Sequence, residues 1–139
     1  MKRKLFLSII TSFLFLFSNA QDDEENIFTK VAVESSTNAK QWAEHVKKYS
    51  HLPDSVLEAI PDGTYKVKVQ FVIDIHGNIG QIKAKNDPGY GFAKRAENIV
   101  TSYKGKWTPA NQCGRNVKSY KEETIVFLIE KDVSTQTNL

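Results

Sequence analysis

Residues 63–84, GTYKVKVQFVIDIHGNIGQIKA, decide the fold. Tyr65, Val67, Val69, Phe71, Ile73 and Ile75 alternate with Lys66, Lys68, Gln70 and Asp74. A period of two over this length predicts a strand with one buried and one wet face. His76-Gly77 breaks the alternation, and glycine accepts the positive φ of a two-residue hairpin turn. Pairing Ile75 with Asn78 sets Phe71 opposite Ile82 and Val69 opposite Ala84, so both apolar sets share a face. A slip of one residue would turn Ile82 and Ala84 outward. The stretch therefore predicts a β-hairpin.

Helical signals flank it. Upstream, residues 28–33 (FTKVAV) read as a short strand or an extended arm. Ser35-Ser36-Thr37-Asn38 is a run of helix-capping residues, and Asn38 with Gln41 three positions later fits a capping-box variant. Ala39, Trp42, Ala43, Val46 and Tyr49 then recur at helical spacing, with Trp42 as the core anchor. Pro53 and Asp54 suit the first turn of a second short helix, expected over residues 53–60 with Val56 and Ile60 inward. Downstream, residues 86–91 (NDPGYG) form a loop without the spacing of a phosphate-binding motif. Phe92, Ala96, Ile99, Val100 and Tyr103 predict an amphipathic helix over 92–103, with Lys94, Arg95 and Glu97 facing out. A last strand is expected at 124–130 (TIVFLIE), Ile125, Phe127 and Ile129 on one side and Val126 and Leu128 on the other.

The crossover from the second strand to the third carries a helix. The right-handed rule then places the third strand beside the first, antiparallel to it. The predicted fold is α+β: a two-layer sandwich, with a three-stranded antiparallel sheet in the order second–first–third and helices on one face. The third strand lies at a sheet edge.

The chain has 139 residues, with 19 Lys and Arg against 16 Asp and Glu. Residues 1–20 hold three of the bases (Lys2, Arg3, Lys4) and no acid, so 19 − 3 = 16 bases face 16 acids in the remainder. Such balance gives no footprint for nucleic-acid binding. The same twenty residues carry a basic start, the apolar run 5–17 and Ser18-Asn19-Ala20. This is the pattern of a secretory signal peptide, and the run is shorter than the roughly 20 residues of a spanning helix. Cleavage after Ala20 and export to the periplasm are expected. The alternative is an uncleaved anchor in the inner membrane. Residues 21–27 read as a disordered lead-in, 28–131 as one domain and 132–139 as a flexible tail.

No pattern for catalysis, cofactor or metal emerges. His45, His51 and His76 lack acidic or Cys partners at ligand spacing and read as surface residues. Cys113 stands alone; in an oxidising compartment it suggests a free thiol or an intermolecular bridge. On the sheet face away from the helices, Lys66, Lys68, Lys83 and Lys85 are expected to meet Glu122 and Glu130. Val72, Ile79, Val126 and Leu128 are expected to add apolar surface there, a combination that suits a partner site or an ordinary solvated face.

These residues carry a family resemblance. Gly63 and the Val67, Val69, Phe71 alternation, the His76-Gly77 turn with Ile79, and the amphipathic helix come first. Trp107-x-Pro109, Gly114-x-x-Val117 and Val126-Phe127 follow, in the order seen in the TonB C-terminal domain. The Trp42 helix and Leu52-Pro53 resemble the variant of Bacteroidetes-type envelope proteins, and the likeness covers about residues 28–131. The chain differs from most of that family in its cleavable leader, the lack of a Pro-rich spacer and Glu123-Thr124 where many relatives have proline before the last strand.

The resemblance implies a non-enzymatic interaction module without cofactors. It would dock by strand addition onto an outer-membrane TonB-dependent receptor or another envelope protein and so contribute to transport. Glu122, Thr124, Ile125, Val126, Phe127 and Leu128 would form the docking strand. Trp107, Pro109, Gly114, Val117 and Gly77 would be structural. The rival possibilities are an edge capped by the 28–33 arm, a homodimer through the last strand or Cys113, membrane-anchored energy transduction, and an envelope protein that reuses the fold structurally.

Overall fold

A computed structural model of the chain describes residues 26–131. The leader 1–20, most of the lead-in and the tail 132–139 lie outside the described residues. The elements run β1 (Ser36–Thr37), α1 (Ala39–Ser50), α2 (Asp54–Leu57), β2 (Gly63–Ile73), β3 (Ile79–Ala84), α3 (Phe92–Ser102), β4 (Trp107–Thr108), β5 (Ala110–Gln112), β6 (Arg115–Val117) and β7 (Ser119–Ile129). The main sheet has three antiparallel strands in the order β3-β2-β7. This is the expected α+β arrangement, elaborated by two small ladders, β1-β4 and β5-β6.

The core lies between this sheet and the helices. Val67, Val69, Phe71 and Ile73 from β2 meet Ile125, Phe127 and Ile129 from β7 and Phe92, Ala96, Ile99 and Val100 from α3. Phe71, Phe92 and Phe127 are each 0 % exposed; burial of a side chain of this size contributes roughly 1.5–3 kcal/mol. The Phe92 and Phe127 rings lie 4.6 Å apart. α1 starts as its sequence dictates, the Asn38 side chain accepting the Gln41 N–H at 3.0 Å. Its Trp42 is half-buried and meets Tyr103 and Trp107 edge-on, at ring distances of 5.0 and 5.8 Å.

The hairpin turn is larger than the sequence suggests. Ile73 pairs with Ile79 while Val69 pairs with Ala84, so the register changes along the ladder. Asp74 is the reason. Its carboxylate accepts the His76 and Asn78 backbone N–H groups at 2.8 and 2.9 Å and the Asn78 side-chain amide at 2.8 Å, organising residues 74–78 as one loop. The extra residue is taken up by a bulge, where Gln81 adopts φ +50° and Gln81 and Ile82 together oppose Phe71. Two expectations are corrected as a result. Ile75 sits in the loop, 38 % exposed, rather than on the core face. Ile79, opposite Ile73, packs against the core rather than adding outer surface. Val72 does face outward, yet it is 2 % exposed, with Tyr120 directly across from it.

Other corrections are smaller. The second helix spans only four residues, Pro53 serving as its N-cap, although Val56 packs on the core and Ile60 is buried. Ser36 and Thr37 form a strand with β4 instead of capping α1. Glu97 does not simply face solvent: its carboxylate accepts the Ala84 N–H at 3.0 Å. His45 is no surface histidine. Its Nε2–H donates to the Ile99 carbonyl at 2.8 Å, and its ring lies 5.1 Å from that of Tyr103, clamping α1 to α3.

Candidate functional site

β7 begins at Ser119, earlier than the expected start at Thr124, and pairs with β2 without a register shift from Ser119↔Ile73 to Ile129↔Gly63. The odd positions point inward, Ile125 and Phe127 at 0 % exposure and Ile129 at 1 %. The even positions Glu122, Thr124, Val126 and Leu128 are exposed, Leu128 by 61 %.

Backbone direction alternates with the same period. The Tyr120 N–H points away from β2, since it donates to the Phe28 carbonyl at 3.1 Å. The N–H and C=O groups of Glu122, Thr124, Val126 and Leu128 therefore point to that same outer edge. Among the described residues none of these groups has a backbone partner there. The six-residue docking set thus divides. Four residues present both backbone and side chain, whereas Ile125 and Phe127 pair with β2 and fill the core.

The 28–33 segment is an arm, and it caps only the beginning of β7. Phe28 donates its N–H to the Lys118 carbonyl at 2.9 Å and lies parallel to Ser119. The arm then bows away and rejoins the molecule at β5, where Val33 and Asn111 exchange bonds of 3.0 and 2.9 Å. Lys121 ties the arm to β7, its Nζ 3.7 Å from Glu34 and 3.9 Å from Glu123. Beyond Tyr120 the edge leaves the arm behind.

On the outer face the expected charge cluster forms in part. Glu122 lies 3.9 Å from Lys68 and accepts from the Gln70 amide at 3.4 Å, while Lys85 reaches Gln70 at 3.5 Å. Exposed pairs of this kind contribute about 0–1 kcal/mol and serve to orient rather than to stabilise. Val126 and Leu128 remain exposed apolar side chains in the second half of this strand.

The five expected structural residues all lie outside β7. Trp107 is 4 % exposed and packs edge-on against Phe71 at 5.3 Å. Gly77, at φ +84°, brings the turn so close to the Trp107 carbonyl that a Cβ there would collide with it and would lie 3.9 Å from Pro109. Cys113 and Gly114, at φ +50° and +79°, form the tight turn between β5 and β6, with Val117 opposite Ala110. Cys113 is exposed at that turn. Among the described residues no group of three or more His, Cys, Asp or Glu is placed to hold a metal ion.

Sequence reasoning named the 28–33 arm as a possible cap of this edge, which it is beside Ser119 and Tyr120, but it did not single out Ser119 and Tyr120 themselves. Their neighbours carry no apolar repeat that would mark them. Comparison of the chain with protein-family models and with curated proteins returns no match.

Proposed function

We propose that the protein is a TonB-like interaction module of the periplasm. It docks onto an outer-membrane TonB-dependent receptor, or another envelope partner, by accepting an extended segment of that partner along β7. The observation that carries this reading is the unbroken outer edge at Glu122, Thr124, Val126 and Leu128. Long straight edges invite strand pairing, and each added backbone bond contributes a net of about 0.5–1.5 kcal/mol. Val126 and Leu128 would add apolar contact, and Glu122 a charged one beside Lys68.

The test is a photo-crosslinking residue at Thr124 in cells, with mass-spectrometric identification of the product. The expected product joins β7 to an extended segment of a receptor plug or another envelope protein. Absence of any product, with the protein folded and exported, sinks the reading. Val126→Lys with Leu128→Lys should weaken capture while leaving the fold intact.

A further inference from the structure

The overall balance of charge conceals an uneven distribution. Beyond residue 20, 16 bases face 16 acids, but five of the acids (Asp22, Asp23, Glu24, Glu25 and Asp132) lie outside the described residues. Residues 26–131 therefore carry 16 bases against 16 − 5 = 11 acids. Part of the excess gathers on the outer face of the sheet. Lys66 and Lys68 leave β2 on that face, and Lys83 and Lys85 leave β3, with Lys83 opposite Gln70. The Lys85 N–H donates to the Lys68 carbonyl at 2.8 Å, which sets these two lysines across from each other. Like charges directly opposite are destabilising.

Among the described residues Glu122 alone answers them, 3.9 Å from Lys68, while Lys66, Lys83 and Lys85 have no ion pair. Lysines on an edge strand keep it from pairing, which accounts for Lys83 and Lys85. It does not account for Lys66 and Lys68, which stand on the central strand. Apolar side chains complete the face. Val126 lies across from Lys66 and Leu128 across from Thr64, and they are 43 % and 61 % exposed. Outward side chains of three adjacent strands end at about one level, so these groups form a broad surface rather than a slot. An extended peptide has its place at the β7 edge instead. Cations spread beside exposed Val and Leu match a lipid interface, where ammonium groups meet phosphates and apolar groups reach the acyl boundary.

We infer that the outer face of the sheet rests on an anionic lipid surface, the four lysines on the headgroups and Val126 and Leu128 turned into the interface. The test places the ¹⁵N-labelled full chain with phosphatidylcholine bicelles that carry a headgroup spin label, with or without phosphatidylglycerol. With phosphatidylglycerol, signal loss should concentrate on β2, β3 and β7 and spare α1 and α3. Lys66→Gln, Lys83→Gln and Lys85→Gln together should weaken this contact about a hundredfold, at roughly 1 kcal/mol for each lysine. Arg at the same three positions should retain it, and thermal unfolding of both variants should match the wild type. Equal signal loss without phosphatidylglycerol, loss centred on the helices, or loss indifferent to the Gln exchange each overturns the inference. So does the absence of any loss on this face, and shifts of the same lysines by free tetraglutamate would then make an acidic peptide its occupant. The Thr124 crosslink reads the β7 edge, so either result can fail without the other.

Discussion

At its β3 edge the sheet is six residues long, bulged at Gln81 and flanked by Lys83 and Lys85, and the outward Ala84 N–H is held by Glu97. At its β7 edge the strand is eleven residues long, unbulged, and covered by the arm only beside Ser119 and Tyr120. Short length, bulges, lysines and covering side chains are the devices that keep edges from pairing. β3 carries all four. The comparison teaches that sheet closure here is selective: one edge is blunted and the other is left straight, with Val126 and Leu128 exposed on it.

The sharpest way to break the comparison uses proline at neighbouring positions of β7. Ile125→Pro removes an N–H bonded to β2 and disrupts the core strand, so a loss of about 3 kcal/mol or more is expected in denaturant unfolding. Thr124→Pro removes an N–H that faces the free edge, where proline is tolerated, and should cost about 1 kcal/mol or less. It should nevertheless abolish partner capture. Equal destabilisation by the two would mean that the outward N–H already has a partner.

The β3 side offers the next effects. Gly77→Ala places a Cβ against the Trp107 carbonyl in a left-handed conformation, which alone costs about 1–2 kcal/mol. Thermal unfolding should show at least that loss. Glu97→Ala frees the Ala84 N–H and should cost about 0.5–1.5 kcal/mol. Faster hydrogen exchange at Ala84 would show that this edge has been opened.

The smallest effect is a pH dependence. Burial pushes the Asp74 carboxyl up, but the Asn78 side-chain bond, the Asn78 and His76 backbone bonds and the nearby His76 charge together hold it below its ordinary value of 3.8. A depressed carboxylate contributes stability above its unfolded value, which is lost as pH falls through the folded one. The stability difference between the wild type and Asp74→Asn should therefore be constant near neutrality and close below about pH 4. A difference that stays constant to lower pH contradicts this origin.

Legibility in the sequence followed apolar periodicity. β2, the second half of β7 and α3 each bury a face whose alternation or helical spacing is visible in one dimension. α1, by contrast, packs only Trp42 and Val46 partly on the core and leaves Ala39, Ala43 and Tyr49 of its apolar set exposed. The β2–β3 turn was misjudged because His76-Gly77 matches a two-residue turn, whereas Asp74 and Asn78 organise a longer one through side-chain bonds. The β5–β6 hairpin has no apolar alternation around Cys113-Gly114. The start of β7 was hidden because its inward positions are Ser119 and Lys121. The arm is held by bonds from Phe28 and Val33 to remote strands, which local patterning does not encode. For the candidate site, the face of each residue was readable, but which part of the edge is covered depends on that arm.

Amide hydrogen exchange along β7, residue by residue, tests the open edge most directly. Thr124, Val126 and Leu128 should exchange orders of magnitude faster than Ile125, Phe127 and Ile129, whose N–H groups face β2. Uniform protection from Glu122 to Ile129 would contradict an open edge and show that another segment or a second copy occupies it.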